Sequence, residues 1–217
     1  MFKILPSVLA LDFKDSKKYL DLIKENAEII HFDVMDGHFV SNISFGPSIM
    51  SDFKKATGCL MDVHIMVTNP ERVLEYFSND KPDILTFHYE TLNNADEIID
   101  LVNKIKEKGI KAGISIKPDT DVRVLDEMLK IFDLILIMSV EPGRGGQAFI
   151  EDSISKIEYL ARKKKENNFN YMIEVDGGIN DKTIAKVINA GAEYIVVGSY
   201  LFKDDFTDRY QKLLQMN

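Results

Sequence analysis

Cysteine is nearly missing from this chain: 217 residues contain one, Cys59. A single thiol cannot close an intrachain disulfide, so nothing in the composition asks for an oxidising compartment. Positive charge is also short, with 27 Lys and Arg against 35 Asp and Glu and a formal net charge of −8. A surface of that sign disfavours nucleic acid and anionic membranes, whose phosphates attract basic patches. It does not disfavour a small phosphorylated molecule, because converging backbone N–H groups can hold an anion locally. Long apolar runs are absent too. The opening stretch "MFKILPSVLALDF" has one lysine and a short apolar segment interrupted by Pro6 and Asp12. That is too short and broken for a secretory core or a membrane span. The expectation is a cytoplasmic protein with neither a membrane nor a nucleic-acid partner.

What is present is alternation. Short apolar or β-branched runs near residues 3–9, 28–35, 59–66, 83–88, 111–116, 133–139, 171–176 and 194–198 read as strands. Helix-periodic segments follow near 16–26, 47–56, 70–78, 93–108, 121–130, 152–166, 180–190 and 205–215. Asn69-Pro70 and Asn180 are helix-start signals, and Gly109 and Gly191 stand where helices end. Eight strands and eight helices in strict order within 217 residues match a (β/α)8 TIM barrel, an α/β fold. An open doubly wound sheet needs fewer strands and often carries a GxGxxG turn after its first, and none follows Leu9. No linker or composition break divides the chain, so residues 1–217 are expected to form a single barrel domain.

In such barrels the functional groups lie at the carboxyl ends of the strands. The chain has only four histidines, and two fall in "IIHFDVMDGHF", residues 29–39. Period-two alternation sorts this stretch. Ile30, Phe32 and Val34 share an apolar face, and Ile29, His31, Asp33 and Met35 point into the barrel. On the third strand Asp62, His64 and Met66 share a face, and on the seventh Asp176 points opposite to Ile173 and Val175. Burying His and Asp two residues apart is costly unless an ion pair or a metal compensates. His31, Asp33, His64 and Asp176 therefore form a candidate metal-ligand set. Asp36 and Gly37 read as the turn leaving the strand, with His38 beyond it. His88 is expected to face the pocket, and Glu174 to lie one layer below Asp176 as a buried hydrogen-bonding partner.

Three glycine loops fall on the same rim: "VEPGRGGQAF" after the sixth strand, "DGGIN" after the seventh and "VVGSYLF" after the eighth. Glycine lets backbone N–H groups converge on an anion with no Cβ in the way. In these barrels phosphate sites are often built after strands seven and eight.

The segments "LPSVLALDF", "HFDVMDGHFVSNISFGP", "DVHIMVTNPER", "MSVEPGRGGQAF" and "IEVDGGIN" resemble the ribulose-phosphate 3-epimerases of the pentose phosphate pathway, essentially end to end. The resemblance implies an isomerase using one divalent metal bound by two His and two Asp. Zinc, ferrous iron, manganese and cobalt all suit such a set. The positions that match are His31, Asp33, His64 and Asp176, with Asp33 and Asp176 as the acid/base pair. Implied substrate contacts are Ser7, His64, the loop Gly143, Arg144, Gly145 and Gly146, the segment Asp176, Gly177 and Gly178, and Gly198 with Ser199. Met35, Met66 and Met138 match methionines that cap the pocket. The family also implies a homo-oligomer. Arg144 stands where an aromatic is usual, either adding a cation near the phosphate or pointing to solvent, and Ser41 stands where a proline is common.

Epimerising a carbon beside a ketone requires a proton to leave one face and another to arrive on the opposite face. Two carboxyls, one ionised and one protonated, do this reversibly, and each positioned group typically contributes about 10²–10⁴-fold. A divalent metal stabilises the enediolate that forms. The expected reaction is D-ribulose 5-phosphate to D-xylulose 5-phosphate. The alternatives are 3-epimerisation of a ketohexose phosphate such as allulose 6-phosphate, and a decarboxylase or lyase on the same barrel. Related decarboxylases carry Asp-x-Lys on the third strand, whereas this chain has Asp62-Val63-His64.

Overall fold

The computed structural model describes residues 2–77, 80–203 and 205–216. Eight strands run in parallel: β1 (Lys3–Pro6), β2 (Ile29–Met35), β3 (Leu60–Met66), β4 (Ile84–His88), β5 (Lys111–Ile116), β6 (Leu134–Met138), β7 (Met172–Asp176) and β8 (Tyr194–Val197). Neighbours pair in the order β1-β8-β7-β6-β5-β4-β3-β2. A parallel bridge between Ser7 and His31 brings the first strand to the second, so the sheet curls into the expected barrel. The helices are α1 (Ser16–Asn26), α2 (Pro47–Thr57), α3 (Pro70–Tyr76), α4 (Ala95–Glu107), α5 (Ser153–Asn167), α6 (Ile184–Ala190) and α7 (Phe206–Leu214). Among the described residues no helix is long and apolar enough to cross a membrane.

Local chemistry explains why the elements sit where they do. In α4, Ile98, Leu101, Val102 and Ile105 recur at helical spacing and are buried, each burial contributing about 1.5–3 kcal/mol. Its start is set by Asn94, whose side chain accepts the N–H of Glu97. Asn69 caps α3 in the same way, with Pro70 in the first turn. Gly109 and Gly191 adopt positive φ where α4 and α6 end. Strands buried on both faces read as unbroken apolar runs, as "LILIM" in β6 does.

The expected helix over 121–130 does not form. Two short 3₁₀ segments, Val122–Leu125 and Leu129–Ile131, occupy that span. Val122, Leu125 and Met128 are buried, and their spacing of three matches the 3₁₀ repeat rather than the α repeat. The helix expected from residue 180 starts only at Ile184. Asn180 Oδ1 accepts the N–H of Lys182, and Thr183 Oγ1 accepts that of Asn180, so local side-chain bonds hold a turn there instead. The first strand ends at Pro6, and a 3₁₀ turn over Val8–Ala10 replaces its expected last residues. The third helix ends at Tyr76, and residue 78 of its expected span lies outside the described residues.

Strand parity holds through the barrel. Ile30, Phe32 and Val34 join the large apolar layer between sheet and helices. Inside the barrel, Leu5, Ile29, Ile84, Leu134, Leu136, Met138, Val140 and Val196 form a second apolar cluster. Beside it lies a polar group: His31, Asp33, Asp62, His64, Thr86, His88, Ser115 and Glu174 are all buried.

Candidate active site

Parallel register aligns this polar interior. His31 on β2 is level with Asp62 on β3, Asp33 with His64, and Met35 with Met66. Asp176 closes β7 from across the mouth of the barrel. The ligand atoms of His31, Asp33, His64 and Asp176 all lie within 4.8 Å of one another. Nε2 of His31 and Nδ1 of His64 each stand 3.3 Å from Oδ1 of Asp33. Ser7 Oγ donates to the other oxygen, Oδ2, at 3.0 Å.

The set can be tested against a cation. Metal bonds of about 2.0–2.1 Å at tetrahedral angles put neighbouring donors about 3.3 Å apart, the distance at which both histidine nitrogens stand from Asp33. Nε2 of His31 is buried without a hydrogen-bond partner among the described residues, as a nitrogen reserved for a metal would be. A second acidic group, Asp62 with Glu174, meets the same histidine on its far side. There Nδ1 of His31 is 2.6 Å from Asp62 Oδ2 and 3.3 Å from Glu174 Oε1. That nitrogen is already bonded, so Asp62 braces the ring and sets which nitrogen faces the cluster.

The charges are strongly interdependent. Burial alone would lower the His31 pKa, but Asp33 and Asp62 overcome it and raise it well above the usual value. Burial opposes ionisation of Asp33, yet His31 and His64 hold its carboxyl well below the ordinary range. Burial pushes Asp176 up to about 6, with Asp33 adding to the rise and His31 opposing it. Burial and then the charge of Asp62 drive Glu174 well above the carboxylate range. Burial pulls His88 down to about 4 against the pull of Glu90.

Above the cluster lies a cavity of about 460 Å³, whose walls include Ser7, Asp33, Asp176 and all three methionines. Gly143, Arg144, Gly145, Gly146, Gly177, Gly178, Gly198 and Ser199 line it as well. The structure thus gathers the expected substrate-contact residues around one space, except His64, which lies beneath the lining with His31. Met35 and Met66 pack together with Val40, while Met138 faces them from the barrel's apolar cluster. Gly177 and Gly178 have φ of +122° and +66°. A Cβ at Gly178 would come within 2.5 Å of the amide nitrogen of Phe149, so this loop must be glycine to keep its shape. Arg144 is exposed on the rim, and its carbonyl accepts from Gln147.

Asp36 closes the turn after β2 as its sequence context indicates, accepting the N–H groups of His38, Phe39 and Thr68. His38 is exposed and bonds back to the carbonyl of Asp36. His88 is fully buried, with Nε2 2.9 Å from Nε2 of His64. Sequence reasoning missed the roles of Asp62 and Glu90. The first was signalled by its parity with His64, whereas the second lies on the 3₁₀ turn past the end of β4, beyond the reach of strand alternation. Lys182 and Lys203, which also line the cavity, carried no sequence signal.

Titratable donors gathered at the carboxyl ends of barrel strands, beneath a cavity rimmed by glycine loops, define an enzyme of the (β/α)8 class that handles a small substrate. Comparison with known proteins narrows the class. The profile of the ribulose-phosphate 3 epimerase family matches residues 3–202. Ribulose-phosphate 3-epimerase of Bacillus subtilis is 41% identical over 204 residues, covering 93% of each chain. That of Treponema pallidum is 40% identical over 202 residues, covering 93% of this chain and 91% of its own. A solved 3-hexulose-6-phosphate synthase from Salmonella typhimurium superposes with a TM-score of 0.70 at 17% identity over the whole of both chains. At that identity the likeness is one of fold alone. The chain belongs to the ribulose-phosphate 3-epimerase family, and it is an epimerase.

Proposed function

We propose that the chain interconverts D-ribulose 5-phosphate and D-xylulose 5-phosphate by moving a proton off and onto C3. One observation carries this reading: two carboxyls from strands far apart around the ring, Asp33 and Asp176, converge with two imidazole nitrogens within 4.8 Å. The names of the relatives at about 40% identity support the pentulose phosphate as substrate.

A sugar lying between Asp33 and Asp176 meets one carboxyl on each face. In this reading the ionised one takes the C3 proton and the other delivers a proton to the opposite face, with the roles exchanged in the reverse direction. Ser7, bonded to Asp33 Oδ2, keeps that carboxyl turned toward the site. His31, Asp33, His64 and Asp176 would hold one divalent ion, with zinc, ferrous iron, manganese and cobalt all suited to the donors. When bound, such an ion would supply Lewis-acid stabilisation of the negative charge that proton loss places on the substrate. The backbone N–H groups of the loops at Gly143–Gly146, Gly177–Gly178 and Gly198–Ser199 take the phosphate, and Met35, Met66 and Met138 shield the sugar from water. Residues 1–217 act as one barrel domain.

The test is deuterium incorporation at C3 of ribulose 5-phosphate in heavy water, with and without a chelator. Exchange in the metal-replete protein that stops on chelation is the expected result. No exchange in the metal-replete protein overturns the assignment of ribulose 5-phosphate as substrate.

A further inference from the structure

The two ligand histidines are supported differently. His31 is braced directly, by Asp62 at 2.6 Å. His64 instead leads into a chain of hydrogen-bonded groups on β4 and the turn after it. Its Nε2 is 2.9 Å from Nε2 of His88, the last residue of β4. Nδ1 of His88 is 3.1 Å from Oε2 of Glu90, on the 3₁₀ turn Tyr89–Thr91. The other oxygen of Glu90, Oε1, accepts the N–H of Lys117 at 2.8 Å and the hydroxyl of Thr120. Phe39 covers the relay, its ring centroid 4.7 Å from that of His88.

The donors and acceptors in this chain can be assigned from its far end. A backbone N–H can only donate, so Glu90 Oε1 is an acceptor, and a carboxylate accepts at both oxygens. The proton between Glu90 and His88 therefore sits on Nδ1 of His88. Two N–H groups cannot face each other at 2.9 Å, so only one Nε2 in the histidine pair carries a proton. For a neutral His88, protonated on Nδ1, that proton belongs to His64. His64 is then left with a bare Nδ1, which stands 3.3 Å from Oδ1 of Asp33, two lone pairs that a cation between them would satisfy.

We propose that Glu90 and His88 are positioning residues that lock His64 in the tautomer whose Nδ1 is free to bind a divalent cation. The inference rests on the metal reading given above and goes beyond it by assigning residues that touch neither metal nor sugar. Outer partners of this kind typically change metal affinity about 10–100-fold when altered.

Glu90→Gln reverses the relay. Its amide oxygen still serves Lys117 and Thr120, but its NH₂ faces His88 Nδ1, pushing the His88 proton to Nε2 and against His64. The expected result is a zinc affinity about 10–100-fold weaker, measured by competition with a chromophoric chelator. Thr120→Val removes one donor to Glu90 without reversing the relay, and is expected to weaken zinc by less than about threefold. Nitrogen-15 spectra of the histidines in the zinc-loaded wild type should show His88 protonated on Nδ1 and His64 on Nε2. Wild-type His88 protonated on Nε2 overturns the inference, and decides the matter even if Glu90→Gln does not fold. So does a Glu90→Gln protein that binds zinc within threefold of wild type, or equal weakening in both variants. A wild type that binds no zinc at all sinks the metal reading itself, and the relay with it.

Discussion

Gly178 and Gly198 lie on the same rim of the cavity, but only Gly178 is demanded by the fold. At Gly178, φ is +66° and an added Cβ would sit 2.5 Å from the nitrogen and 2.6 Å from the Cα of Phe149. A left-handed alanine costs about 1–2 kcal/mol, and overpacking against a backbone that cannot swing aside costs about 1–3 kcal/mol more. Gly178→Ala should therefore lose about 2–5 kcal/mol, which for a chain of this size lowers Tm by about 4–20 °C. At Gly198, φ lies outside the left-handed region, and the nearest atoms to an added Cβ are 3.4 Å away on Ala10 and 3.6 Å away on Ser7. Alanine fits there and should hold or raise stability, by up to about 1 kcal/mol through unfolded-state entropy, leaving Tm at or above wild type. Its methyl would nonetheless project where the phosphate is proposed to approach the backbone. Losing one hydrogen bond to a charged group, about 1.5–3 kcal/mol, corresponds to a KM about 10–150-fold higher. The phosphate is remote from C3 and held alike in ground and transition states, so kcat should stay near wild type. Calorimetry and a coupled epimerase assay on both variants check this. A stable Gly198→Ala protein with KM within twofold of wild type refutes the phosphate assignment, and an unchanged Tm in Gly178→Ala refutes the steric one.

Asp33→Asn and Asp176→Asn should each lower kcat by at least about 10²–10⁴-fold while keeping a cooperative melt; full activity in either removes that residue from the acid/base pair. Asp36→Ala should destabilise the protein by about 1–3 kcal/mol at neutral pH through loss of the bonds from Thr68, His38 and Phe39, as read by urea unfolding. Burial opposes ionisation of Asp36, but those N–H groups win and bring its carboxyl from 3.8 down to about 2. Its contribution is then complete above about pH 4 and fades as pH falls through about 2, so the gap between wild type and variant should close over that window. A gap that stays constant down to pH 2 contradicts the assignment.

The donor set was legible because strand alternation turns a linear pattern into a face. His31 and Asp33, then Asp62 and His64, and finally Glu174 and Asp176 recur at a spacing of two on runs too apolar to be surface. The glycine loops were legible because their place after the sixth, seventh and eighth strands puts them on the same rim. The span 121–130 was misread because a spacing of three lies close enough to helical periodicity to imitate it. Glu90 escaped notice because it lies just past the end of β4, where alternation no longer says which way a side chain points.

The sequence by itself determined the barrel, the inward residues and the family, since these depend on local periodicity and on motifs contiguous in the chain. Only the tertiary structure decided which inward residues touch. Asp62 reaches His31 because β2 and β3 pair in a particular register, and a shift of one residue would send it to the opposite face. The bonds from Lys117 and Thr120 to Glu90 require the loops after β4 and β5 to meet, and parallel strands joined by long crossovers leave no trace of such meetings in sequence separation.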